Sequence, residues 1–243
     1  MLDHSENTDS MKKTARIAGA LYLIVVLTGI FHLLYVPSQL SGAGDPSVTI
    51  SNIIAHETLF RLSILAGILC YTAFLLLPLP LYKLLSPTDK THAVMMVALA
   101  AVSVPISLVN MLNKFAVLTL ISKANFLTGL EPGALQAQIS LHLEYYRNGN
   151  EVASIFWGLW LFPFGYLVFK SGFLPRVLGI FLMVGCVGYI IDFIGSFLFS
   201  TYNETIIPTL LTIPGSIGEI GICLWLLIVG IKNKPAPWQT QTS

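Results

Sequence analysis

The sequence predicts an all-α fold, a polytopic membrane bundle of six transmembrane helices with one outer amphipathic helix. Three observations predict it. Of 243 residues, 55% are hydrophobic and 10% charged, against roughly 25% charged in an average soluble domain. The mean hydropathy is +0.77. The apolar residues gather into runs of the ~20 residues that a helix needs to cross a hydrocarbon core, whereas a barrel would show alternating strands of about ten. So few charges cannot clothe a soluble globule. The net charge of +1 offers no basic face for nucleic acid, so the expected partner is the lipid bilayer.

The six spans read as 15–36, 60–82, 93–122, 151–169, 176–199 and 206–231. The breaks between them carry turn chemistry, as in Ser41-Gly42-Ala43-Gly44-Asp45-Pro46, Ser86-Pro87-Thr88-Asp89 and Ser171-Gly172-Phe173-Leu174-Pro175. Ahead of the first span, residues 1–14 read as a disordered cytoplasmic tail with a second methionine at Met11, and residues 232–243 as a second tail. The membrane domain is then 15–231. The first span is longer than a signal-peptide core and lacks an Ala-x-Ala site, so it reads as an uncleaved anchor. Before the fourth span, Leu135, Ile139, His142, Leu143 and Tyr146 recur at helical spacing. Gln136, Gln138, Glu144 and Arg147 fall elsewhere, which describes an amphipathic helix on the outer surface.

Orientation follows from the cations. With a cytoplasmic N-terminus, the inner segments hold Lys12, Lys13, Arg16, Lys83, Lys90, Lys170, Arg176, Lys232 and Lys234. The outer loops hold only Lys123 and Arg147. Positive charge concentrates on cytoplasmic segments, so both termini are expected inside a cell membrane.

Polar residues within the spans are costly in hydrocarbon and mark candidate sites. Ser103, Ser107, Asn110 and Lys114, with Asn113 beside them, draw one polar stripe on the third span. The fifth span carries Asp192 among Gly185, Gly188 and Gly195, and the sixth carries Glu219 after Pro214-Gly215. Pro214 cannot bond the carbonyl of Leu210, so a kink is expected there. Glu219 falls near mid-span and Asp192 about 6 Å outward, with Lys114 and His32 roughly 9 Å outward, at ~1.5 Å per residue. His32, Asn110, Asn113, Lys114, Asp192 and Glu219 therefore form the candidate intramembrane site, in the outer half of the bilayer. Lys114 is expected to pair with Asp192 or Glu219. Glu57 and Arg61, four residues apart, suit an interfacial ion pair.

No chemistry-bearing motif completes itself. His56-Glu57 lacks the second histidine of a zinc-protease helix, there is no phosphate-binding or dinucleotide loop, and Gly215-Ser216-Ile217-Gly218 is no nucleophile elbow. Cys70, Cys186 and Cys223 lie within apolar runs and read as small hydrophobes. No cofactor or metal is expected, and the reading leans away from an enzyme.

Five blocks carry a family resemblance: Ala15-Arg-Ile-Ala-Gly-Ala-Leu-Tyr22, Glu57-Thr-Leu-Phe-Arg-Leu62, Phe164 through Gly179, Gly188-Tyr-Ile-Ile-Asp192 and Gly218-Glu219. Over residues 12–231 the chain resembles the bacterial multi-span proteins grouped as domain of unknown function 4386. Lys170-Ser-Gly-Phe-Leu-Pro-Arg176 is the most specific part. The resemblance implies a six-helix inner-membrane protein and supplies no activity. Many relatives place a histidine near the position of Trp160, and its absence here argues against chemistry at that point. Function classes therefore rest on the polar residues. They point first to a transporter or ligand-binding membrane protein for a small molecule or ion. The alternatives are a structural or regulatory membrane subunit, and an intramembrane enzyme.

Overall fold

The structure, a computed structural model, describes residues 2–42, 44–122 and 131–231, with side chains from Ser10 onward. Tail residues 232–243, with Lys232 and Lys234, and Lys123 of an outer loop lie outside the described residues. The elements are α1 (Leu2–Gly29), a π-helical turn (Ile30–Tyr35), α2 (Val36–Leu40), α3 (Pro46–Ala55), α4 (Glu57–Leu76) and α5 (Pro78–Leu85). They continue with α6 (Lys90–Ile121), α7 (Pro132–Leu159), α8 (Leu161–Ser171), α9 (Arg176–Leu198), a 3-10 turn (Tyr202–Glu204) and α10 (Ile207–Ile228). Among the described residues no strand occurs, and six helical stretches are long and apolar enough to cross a membrane. They are Ser10–Leu40, Glu57–Leu85, Lys90–Ile121, Pro132–Ser171, Arg176–Leu198 and Ile207–Ile228.

Every predicted span has its helix. The breaks inside spans follow proline. Pro78 and Pro163 have no amide hydrogen to give, and the helix re-starts around Leu77 and Trp160. Pro105 and Pro214 instead lie inside the unbroken helices α6 and α10. Two features differ in extent from the sequence reading. The backbone of α1 is helical from Leu2, within the segment read as a tail. The amphipathic segment runs on into the fourth span as the single helix α7, where Ile139 and Tyr146 are buried and Glu144 and Arg147 exposed.

The outer connection read as a loop contains α3. Its cue is Asp45-Pro46-Ser47: proline suits the first helical position, and Asp45 accepts hydrogen bonds from Ser47 N at 2.8 Å and Ser47 Oγ at 2.7 Å. Those bonds hold the Asp45 carboxyl below its usual pKa. Asp89 caps α6 in the same manner, accepting from His92 N at 3.1 Å, and is lowered for the same reason.

The chain forms two compact units. The first comprises 1–23, 73–103 and 154–243, and the second 24–72 and 104–153. In the first, α9 packs against both α8 and α10. The α8–α9 turn explains the most specific sequence block. Gly172 ends α8 in the left-handed region (φ 73°), and Ser171 Oγ donates to Val168 O and accepts from Leu174 N. The crossing of α9 and α10 depends on glycine: a Cβ on Gly185 would lie 2.5 Å from Gly215 Cα. Small residues let membrane helices approach this closely. Trp160 stacks on Phe164 and meets Phe74 edge-on, both at 5.0 Å, in an aromatic cluster that Tyr22 also joins. Cys70, Cys186 and Cys223 are buried thiols, none of them in a disulfide.

Candidate intramembrane site

The second unit gathers polar side chains from three of its helices and the π-helical turn. Lys114, on α6, is 4% exposed. Its ammonium donates to Ser63 Oγ at 3.1 Å and sits over the rings of Tyr146 at 4.4 Å and Phe60 at 5.7 Å. Ser63 Oγ in turn donates to Phe60 O. One turn before the lysine, Asn110 Nδ2 donates to Tyr146 O at 2.8 Å and to Asn150 Oδ1 at 3.0 Å, and Asn110 Oδ1 accepts from Asn113 Nδ2 at 3.1 Å. Asn113 Oδ1 meets His142 Nδ1 at 3.1 Å. This amide network ties α6 to α7 and fixes the ring of Tyr146 under the ammonium.

His32 completes the cluster from the π-helical turn. It is 0% exposed, its ring meets Tyr71 edge-on at 5.4 Å, and neither of its nitrogens has a hydrogen-bond partner. A π-helical turn is rare and is frequently found at functional sites. Tyr71 turns its hydroxyl toward Ser107 and Tyr146. Thus His32, Asn110, Asn113 and Lys114 are brought together in one unit.

Asp192 and Glu219 belong to the first unit, each beside a tyrosine. Tyr22, itself buried, donates its hydroxyl to Glu219 Oε1 at 2.9 Å. Asp192, half-buried on α9, lies beside Tyr202 of the 3-10 turn. The second unit thus holds four of the six residues read as one site, and in the first Asp192 and Glu219 have separate tyrosine neighbours. Glu57 and Arg61 pair at 2.6 Å on the exposed face of α4. Arg147 pairs with Glu144 and with Glu151. Pro214 and Gly215 lie within α10, where Gly215 meets α9.

Sequence reasoning missed Ser63, Tyr71, Tyr146 and Asn150 as cluster members. A signal was there on α7: His142, Tyr146 and Asn150 recur every fourth residue, so the face read as apolar carries polar tips. Among the described residues no three His, Cys, Asp or Glu side chains gather to hold a metal.

The chain matches domain of unknown function DUF4386 over residues 17–230. It belongs to this family. DUF4386 membership and the six apolar helices together make it a multi-pass membrane protein. It is also similar to an uncharacterized protein of Archaeoglobus fulgidus, 38% identical over 82 residues, or 34% of this chain. The match covers 46% of that relative, about half its length. No solved structure matches.

Proposed function

We propose that this DUF4386 protein is a small carrier or ligand-binding membrane protein, whose site is the cluster of His32, Ser63, Asn110, Asn113 and Lys114. The observation that carries the reading is His32. A buried polar group without a partner costs about 1–3 kcal/mol, and here two ring nitrogens are left so, in a helix already distorted around them. A group kept unsatisfied inside a membrane helix suits a site that a ligand fills. The Lys114 ammonium supports it, since a buried charge is costly unless compensated.

The experiment is a thermal-unfolding screen of the purified full chain against small anions, cations and neutral solutes. At least one solute should raise the melting temperature saturably, and Lys114→Gln should abolish that response. A purely structural bundle would respond to none.

We further propose a cell-membrane location with both termini cytoplasmic and the cluster in the outer half of the bilayer. The support is the cation distribution. Cysteines placed at 45 and 203 should react with an impermeant thiol reagent on intact cells, and those at 88 and 173 should not. The reverse labelling would invert the orientation.

A further inference from the structure

We infer that Lys114 and His32 together bind a small monovalent anion, such as a halide, nitrate or short carboxylate. This rests on the cluster being a ligand site, and it names the ligand's charge and size. The argument is one of unfilled capacity. An ammonium has three donors. Lys114 spends one on Ser63, and the rings of Tyr146 and Phe60 cover part of its surface.

The acids of the same unit are committed elsewhere. Asp45 caps α3, Glu57 holds Arg61, and Glu144 and Glu151 hold Arg147. Glu131 is exposed. Among the described residues of the unit, no carboxylate makes an ion pair with Lys114. One buried positive charge is balanced by one negative charge, hence a monovalent ligand.

The amide network does not compete for that ligand, because the Asn110 side chain spends its amide and its carbonyl on protein partners. His32 is different: a neutral imidazole always carries one N–H donor, and here that donor has no acceptor. It supplies a second contact in the same cluster, where its ring meets Tyr71 edge-on and packs at Gly67 with Met111, one helical turn before Lys114 on α6. Gly67 lets α4 pack closely on the ring. A Cβ there would lie 3.3 Å from His32 Nδ1 and 2.8 Å from Met111 Cε.

The test measures unfolding temperature of the full chain in uncharged detergent. Sodium bromide, nitrate and acetate are each titrated against sodium gluconate at equal ionic strength. The proposal expects a saturable rise of several degrees with at least one small anion. Lys114→Arg should retain it, Lys114→Gln should lose it, and His32→Phe should weaken it at least tenfold in concentration. Bromide and nitrate acting without acetate would assign an inorganic anion, and acetate alone a carboxylate.

Two results would overturn the anion while leaving a ligand site standing. One is stabilisation only by a cation or neutral solute that still requires Lys114. The other is a Lys114→Gln protein whose lost stability is restored by Asp192→Asn or Glu219→Gln, which would make the counter-ion internal. If no solute of any class shifts any variant, the ligand site itself is refuted. Should Lys114→Gln fail to fold, His32→Phe carries the same test.

Discussion

In the first unit the two intramembrane acids each have a tyrosine beside them, and the helices close on one another through glycine. In the second, a lysine and a histidine are buried beside an amide network, and neither nitrogen of the histidine has a partner. The first arrangement is what packing requires, with Gly185 against Gly215 and Tyr22 bonded to Glu219. In the second, the amides that could have quenched Lys114 or His32 are spent on Tyr146 and Asn150 instead. Buried polarity in a membrane is therefore no single signal: Glu219 accepts a hydrogen bond from Tyr22, whereas neither nitrogen of His32 has a partner.

The largest break should come from the scaffold. Gly185→Leu drives a side chain into the backbone of α10, and overpacking costs about 1–3 kcal/mol even where the neighbours can yield. Backbone yields less than side chain, so loss of a monodisperse folded species in size-exclusion chromatography is expected. Retention of full thermal stability would show that α9 and α10 do not meet through these glycines.

A smaller effect sharpens the contrast at the acids. Tyr22→Phe removes the donor to Glu219 and should destabilise the protein by about 1–3 kcal/mol, the cost of orphaning a buried acceptor. The double variant with Glu219→Leu should lose less than the sum of its single changes. Strictly additive losses would mean that the Tyr22–Glu219 bond contributes nothing.

The spans were legible because each is a run of apolar residues whose length the bilayer sets, and the polar stripe on α6 was legible because it lies on one helix. Ser103, Ser107, Asn110 and Lys114 are all buried, as one interior-facing stripe demands. What spacing could not convey was which residue of another helix meets each of them. Ser63 reaches Lys114 across 51 positions and Asn150 reaches Asn110 across 40, and nothing local records such pairs. Matching charges by depth grouped Lys114 with Asp192 and Glu219; within its own unit each has neutral neighbours, a hydroxyl and two rings for the lysine and a tyrosine beside each acid. The π-helical turn at His32 leaves no mark in composition, and α3 was hidden because its capping aspartate and proline also read as a turn.

The most direct measurement is of water access to the cluster. Ser63→Cys changes little in volume and places a thiol beside Lys114. A ligand site must open to solvent, so the introduced thiol should react with a small aqueous thiol reagent well faster than the buried native thiols of Cys186 and Cys223. Binding of the stabilising solute should slow that reaction. An introduced thiol as unreactive as that of Cys223, with or without solutes, would contradict the account and make the cluster structural.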